Sequence, residues 1–295
     1  MSQLPPTITT APPPVPDTLV TFPSAHIVLV RLNRPKHLNA IPRPTHFALE
    51  ALWEWYDAEP TLRCAILTGT GRAFCAGADL KEWHGINDES NRYSASAAPP
   101  PASDQARKRF PAGGFGGMSN RGGLKPIIAA VNGICFGGGM EMAVNCDLVV
   151  AARGATFALP EVSIGVIALA GALPRVVRSF GRQRAAALAL SGKPFDAQTM
   201  FDWGLVNEIV EEGDGDGDVV QAAVAWAERI AANSPDAVIV SREGLKLGWE
   251  GVGPELGTDL ILKGWFGKIE DGANAVEGVR SFNEKRKPRW VDSKL

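Results

Sequence analysis

The run Ile127-Ile128-Ala129-Ala130-Val131-Asn132-Gly133-Ile134-Cys135-Phe136-Gly137-Gly138-Gly139-Met140-Glu141 constrains the fold more than any other part of the chain. Its apolar first half, with two β-branched isoleucines, reads as a buried strand. A turn at Asn132-Gly133 and three successive glycines follow, and Met140 to Cys146 then reads as the opening of a buried helix. Glycines ahead of a helix let backbone N–H groups approach a ligand closely, because no Cβ stands in the way. Those N–H groups also lie at the positive end of the helix dipole. Glu141, one turn into an otherwise apolar helix, loses hydration on burial and calls for a compensating role. The pattern is that of an oxyanion site with a carboxylate beside it. From the residues alone, Glu141 also fits a salt-bridged helix position, and the glycines also fit tight packing. A dinucleotide loop does not fit: GxGxxG is absent, and no acidic residue ends a strand about twenty residues later.

The same order occurs earlier in the chain. Leu62 to Thr68 reads as a strand that runs into Gly69-Thr70-Gly71-Arg72-Ala73-Phe74-Cys75-Ala76-Gly77-Ala78-Asp79-Leu80, a second glycine- and alanine-rich loop opening a helix. Repetition of strand, loop and helix predicts an α/β fold with βαβ-type units and right-handed crossovers. Around these units, 26–32, 148–152 and 205–210 read as strands, and 43–57, 181–190 and 196–203 as helices. Residues 1–17, rich in Pro and Thr, read as a disordered arm. The core then spans 18–212, with an insert at 85–124 that lacks periodicity and reads as a lid, a binding loop or a partly disordered segment. Residues 213–292 form a helical C-terminal region, with helices predicted near 219–232, 235–248 and 255–283. A tripeptide, 293–295, ends the chain.

Several function classes drop out. A net charge of −2 gives no electrostatic case for nucleic acid. No apolar run approaches the ~20 residues that span a bilayer, and the amino terminus lacks the features of a secretory signal. Cys64, Cys75, Cys135 and Cys146 show no CxxC pair and read as small buried thiols of a reducing compartment. The four histidines have no metal-ligand spacing, so no metal is expected. The acidic run at 211–218 lacks the glycine and the glutamate of a calcium loop and reads as solvated. Ser293-Lys294-Leu295 spells the peroxisomal import tripeptide, which makes the peroxisome the expected location and its import receptor an expected partner.

Over roughly residues 20–290 the chain resembles the enoyl-CoA hydratase/isomerase (crotonase) superfamily. Four motifs in order carry the resemblance: Asn33-Arg34-Pro35…Leu38-Asn39-Ala40, Ala73 to Leu80, Val131-Asn132-Gly133…Gly137-Gly138-Gly139-Met140-Glu141, and Leu159-Pro160-Glu161…Gly165. The resemblance implies a spiral of repeated ββα units with a helical C-terminal trimerisation region, assembled as a homotrimer or hexamer. It implies an acyl-CoA substrate and no separate cofactor, CoA being part of the substrate. The backbone N–H groups of Ala78 and Gly138 would form the oxyanion hole. Ala76, Gly77, Ala78, Asp79 and Leu80 would follow CoA, with Lys36 and His37 near its phosphates. Phe282 and Lys285 match a region that contacts CoA, sometimes from a neighbouring subunit. Glu141 and Glu161 match both hydratase carboxylates. Read without the resemblance, Glu161 would be a helix-start residue favoured by the dipole, and Asp79 a residue that anchors its loop.

Adding water across a Cα=Cβ bond conjugated to a thioester calls for N–H donors at the developing enolate, a base for water and an acid for Cα. By resemblance Glu141 activates water and Glu161 transfers the proton at Cα. The expected function is therefore an acyl-CoA hydratase or dehydratase. Alternatives are an enoyl-CoA isomerase running on Glu161 alone, a specialised dehydratase of a branched 3-hydroxyacyl-CoA such as mevalonyl-CoA in siderophore synthesis, and a non-catalytic CoA-binding scaffold. The segment Val166 to Pro174 departs from the superfamily's usual proline- and glycine-rich version beside the acyl pocket.

Overall fold

The structure, a computed structural model, describes residues 4–79, 110–211 and 217–295. Its frame is two β-sheets fed alternately by successive units. The larger holds β1 (Thr18–Ser24), β2 (Ile27–Leu32), β3 (Cys64–Gly69), β5 (Ile127–Val131), β7 (Leu148–Ala152) and β10 (Glu208–Val210), in that order. The smaller holds β4 (Ala73–Cys75), β6 (Ile134–Phe136), β8 (Thr156–Ala158) and β9 (Phe195–Asp196). Each unit lays one strand in each sheet: β3 with β4, β5 with β6, β7 with β8. Neighbours from β2 through β10 in the larger sheet, and from β4 through β8 in the smaller, pair in parallel.

The inner strands β2, β3, β5 and β7 of the larger sheet are buried on both faces, which explains their continuous apolar runs. Successive side chains still alternate between two cores. Val28, Val30, Ala65, Leu67, Ile127, Ala129 and Val131 face a core shared with α1 (Arg43–Ala58) and its Leu49, Leu52, Trp53 and Tyr56. Ile27, Leu29, Cys64, Ile66, Ile128 and Ala130 face the other side, against Val219, Val220, Ala223 and Ala227 of the helix Gly217–Ala231. Cys64, Cys75 and Cys135 are buried free thiols and Cys146 is half-buried. Burial pushes the Cys75 thiol up to about 12.

In chain order the next helices are α2 (Gly138–Val144), α3 (Ala172–Phe180), Arg182–Ser191 and Ala197–Asp202, followed by the Gly217–Ala231 helix and the remaining C-terminal helices. These last comprise Pro235–Trp249, Pro254–Ile261, a π-helical turn Leu262–Phe266 running into Gly267–Ile269, and Ala273–Asn283. The helix expected over 255–283 is therefore interrupted.

Two sequence expectations are corrected. Residues 4–17 of the expected disordered arm lie against the domain, with Ile8 and Val15 packed on the core. The buried Glu59 carboxylate holds them, accepting hydrogen bonds from Thr9 N at 3.0 Å, Thr9 Oγ1 at 2.7 Å and Thr10 N at 3.1 Å. Burial alone would raise the Glu59 pKa, but these donors outweigh it and hold the carboxyl below its usual range. β1 is likewise an edge strand absent from the sequence reading, paired antiparallel with β2. The second correction concerns the insert. Residues 110–124 are structural, with Phe115, Gly116, Gly117, Met118 and Ser119 all buried, while 85–109 lie outside the described residues.

Candidate active site

β4 and β6 are neighbours in the smaller sheet, pairing Cys75 with Cys135, so the loops that leave them run side by side. Both turn sharply at glycines with positive φ, +97° at Gly77 and +55° at Gly137. The approach is close: a Cβ on Gly77 would lie 3.3 Å from the Gly138 nitrogen, and one on Gly137 would lie 3.3 Å from Glu161 Oε1. The Ile41 N–H donates to Gly77 O and the Asp79 N–H to Ile41 O, which skips Ala78. Neither the Ala78 N–H nor the Gly138 N–H, the latter in the first turn of α2, has an acceptor among the described residues. Two unspent donors from adjacent loops thus border a cavity of about 1110 Å³, which Glu141 and Glu161 also line.

Glu141 is 4% exposed. Its Oε1 accepts from Ala170 N at 2.8 Å and Ala172 N at 3.3 Å, where the chain enters α3. Burial, together with the charge of Glu161 and against those two N–H groups, pushes its carboxyl up to about 7. Glu161 lies in the 3-10 turn Pro160–Ile164, and its buried Oε2 has no hydrogen-bond partner among the described residues. Burial raises its pKa as well. Two carboxyls in one poorly hydrated cavity both resist ionisation, because burial disfavours each charge and the charge of Glu161 also disfavours that of Glu141.

Sequence reasoning missed the residues that hold this arrangement. Phe115 lies directly under α2, where a Cβ on Gly138 would come within 2.4 Å of its ring. Ser119 Oγ accepts from the Phe115 N–H at 2.7 Å and donates to Ala170 O at 2.7 Å, so one hydroxyl links the floor of the oxyanion loop to the residue that binds Glu141. His46 of α1 receives the Gly116 N–H on Nδ1 at 3.0 Å and stacks edge-on against Phe115 at 4.4 Å between ring centroids. Burial lowers its pKa to about 4, so it is neutral. The lack of periodicity in 110–124 hid these contacts, although the dense glycines there mark close backbone approaches.

His46 makes a pH signature. Unfolded histidine takes up a proton near 6.5, whereas the folded site takes one only near 4. The unfolded chain binds more protons between those values, so the His46 contribution is lost as pH falls through them, by on the order of 3 kcal/mol. Glu141 acts oppositely: its folded pKa is raised, so its contribution falls as pH rises from about 4.5 to about 7. In urea melts at pH 7 and pH 4.5, His46→Gln should therefore lose less stability on acidification than the parent chain. Equal losses would place the effect elsewhere.

The expected CoA positions divide. Ala76, Gly77 and Ala78 line the cavity. Asp79 anchors the loop, its Oδ2 accepting from Arg34 Nη1 and Nη2 at 3.1 Å each. Lys36 and His37 stand exposed in the turn Pro35–His37, one residue before Leu38, whose carbonyl accepts the Ala76 N–H. Leu80 lies outside the described residues. Phe282, 83% exposed, and Lys285 do not line the cavity in this chain. Among the described residues no cluster of His, Cys, Asp and Glu could hold a metal.

A two-sheet frame whose adjacent loops present two unspent N–H donors beside a carboxylate pair is an arrangement able to stabilise an enolate formed from a carbonyl substrate. The chain belongs to the enoyl-CoA hydratase/isomerase family, whose model matches residues 23–99 and 121–293. It is 56% identical over 292 residues to a mevalonyl-coenzyme A hydratase of Beauveria bassiana, covering 98% of this chain and 100% of that one. A mevalonyl-coenzyme A hydratase of Aspergillus fumigatus is 47% identical over 287 residues, covering 97% and 99%. The crystal structure of an enoyl-CoA hydratase from Mycobacterium tuberculosis H37Rv superposes with a TM-score of 0.79 at 33% identity, covering 94% and 100%.

Proposed function

We propose that this acyl-CoA hydratase adds water reversibly to a branched 2-enoyl-CoA, and that its 3-hydroxyacyl partner is mevalonyl-CoA. The observation that carries the chemistry is the unpartnered, buried Glu161 Oε2 in one cavity with Glu141 and the free N–H groups of Ala78 and Gly138. The thioester oxygen accepts both N–H groups and takes up enolate charge there. Glu141 removes a proton from water as its oxygen bonds Cβ, and Glu161 delivers a proton to Cα. Dehydration runs the same steps backward, breaking the Cβ–O bond. The mevalonyl assignment rests on the names of the two relatives.

The test is a panel of 2-enoyl- and 3-hydroxyacyl-CoA esters, followed by the conjugated enoyl-thioester absorbance. Loss of water from mevalonyl-CoA, faster than from straight-chain 3-hydroxyacyl esters, is expected. No change with any ester would refute the hydratase reading, and activity confined to straight chains would refute the mevalonyl one.

We also propose peroxisomal import through Ser293-Lys294-Leu295. A fluorescent protein carrying this carboxyl terminus should enter peroxisomes, and removal of the three residues should leave it in the cytosol. Cytosolic signal from the intact terminus would sink the idea. A homotrimer or a dimer of trimers is the proposed assembly, supported by Leu256 at 58% and Leu262 at 54% exposure on the C-terminal helices. It would let a neighbour's Phe282 and Lys285 reach CoA. Sedimentation should give three or six times the 31.3 kDa chain mass, and a monomer would exclude it.

A further inference from the structure

We propose that Glu50 and Asn120 form a hydroxyl-recognition subsite at the polar end of the acyl cavity, selecting an acyl chain with an alcohol beyond Cβ. This inference rests on the hydratase reading and names residues that would read the substrate's remote hydroxyl.

Most of the cavity wall beyond the two glutamates is apolar, including Phe47, Phe110, Ile164, Ile167 and Leu169. Glu50 and Asn120 break that pattern. With Ala112 they also border an adjoining cavity of about 250 Å³, so they stand where the two spaces meet. Gly113 ties them together: its N–H donates to Glu50 Oε1 at 2.6 Å, and its carbonyl accepts the Asn120 N–H at 2.8 Å. Asn120 is also close to the catalytic pair through sequence and contact, since neighbouring Ser119 donates to Ala170 O and the Ala170 N–H donates to Glu141.

Each side chain has one atom anchored and one to spare. Asn120 Oδ1 accepts from Arg175 Nη2 at 3.2 Å. Arg175 is itself held by Asn145 Oδ1 at 2.7 Å and Gly171 O at 3.0 Å. Guanidinium cannot accept, so this contact orients the Asn120 amide with its oxygen toward Arg175. The amide nitrogen is left with a long 3.5 Å approach to Ala112 O. The second Glu50 oxygen has no donor among the described residues. One spare donor and one spare acceptor therefore border the same cavity. An ammonium group would satisfy Glu50 alone, and a carboxylate would satisfy Asn120 but meet the charge of Glu50. An alcohol satisfies both, donating to Glu50 and accepting from Asn120. Arg175 positions the subsite without entering it.

The experiment compares two esters on the full-length protein, 5-hydroxy-3-methylpent-2-enoyl-CoA and 3-methylpent-2-enoyl-CoA, which differ only in the terminal hydroxyl. Because Asn120 is exposed and Glu50 half-buried, we expect the parent kcat/KM to favour the hydroxylated ester by roughly 10- to 100-fold, less than fully buried polar sites achieve. Glu50→Gln can still accept the Gly113 N–H but turns its other end into a donor. Asn120→Leu removes the spare donor and keeps the backbone bond to Gly113. Each should reduce the ratio about tenfold. A parent ratio near one overturns the inference even if both variants fail to fold. A ratio unchanged in both folded variants overturns it too, since a merely structural role would depress both esters alike. Turnover of neither ester would instead bring down the hydratase reading, and this inference with it.

Discussion

Glu141→Gln and Glu161→Gln are each expected to lower hydration by roughly 10²- to 10⁴-fold, the usual contribution of a positioned acid or base. Binding of the CoA ester should change little, because neither carboxylate holds the nucleotide end. Since the two act on one proton inventory, the double variant should be scarcely worse than the poorer single. Glutamine at 141 still accepts the Ala170 and Ala172 N–H groups and removes a buried charge, so the fold should survive. Single-turnover rates and ester binding measured side by side decide the matter. Substantial hydration by both variants would remove the pair from the mechanism. If Glu141→Gln alone lost hydration yet still moved a 3-enoyl double bond to position 2, the isomerase alternative would stand.

The second large effect concerns a backbone group. Gly138→Pro removes one oxyanion donor, and a loss of about 10²- to 10³-fold in kcat is expected. Proline is tolerated in the first turn of a helix, so α2 itself does not forbid it. Gly138→Ala keeps the N–H, and its φ is not in the left-handed region. The structure supplies a different obstacle, the Phe115 ring 2.4 Å from the new Cβ. Gly138→Ala should therefore also be impaired, but through packing. Proline brings the same Cβ against that ring, so adding Phe115→Leu should restore much of the activity of Gly138→Ala but leave Gly138→Pro depressed by its missing donor. Equal rescue of both, with folding confirmed by circular dichroism, would mean that this N–H does not bind the thioester oxygen.

The sequence could mark these positions but not give every reason. It marked Gly138 as a donor, and nothing in its own loop shows what an added Cβ would meet. Phe115 was invisible because it lies in a stretch with no periodicity. Asp79 illustrates the converse. Its reading as a loop anchor holds, yet the anchor's partner, Arg34, is 45 residues away and only the fold brings them to 3.1 Å. The expected arm failed for the same reason, since Pro- and Thr-rich composition speaks to local order. It cannot reveal that one buried carboxylate at Glu59 gathers the N–H and O–H donors of Thr9 and Thr10.

What the sequence determined by itself is local chemistry: apolar runs that must be buried strands, glycines where the backbone must turn and lie bare, and glutamates stranded in apolar surroundings. These are properties of residues a few positions apart, set by sterics and solvation, and they marked both glycine-rich loops and Glu141, while the role of Glu161 came only from the resemblance. Only the tertiary structure decided what those groups meet. It set Glu161 beside Gly137, Phe115 beneath Gly138, and Ser119 between the loop floor and the segment that binds Glu141, and it kept Phe282 and Lys285 out of this subunit's cavity. Pairings over such separations depend on how two sheets and their helices pack, and no periodicity within a single segment records them.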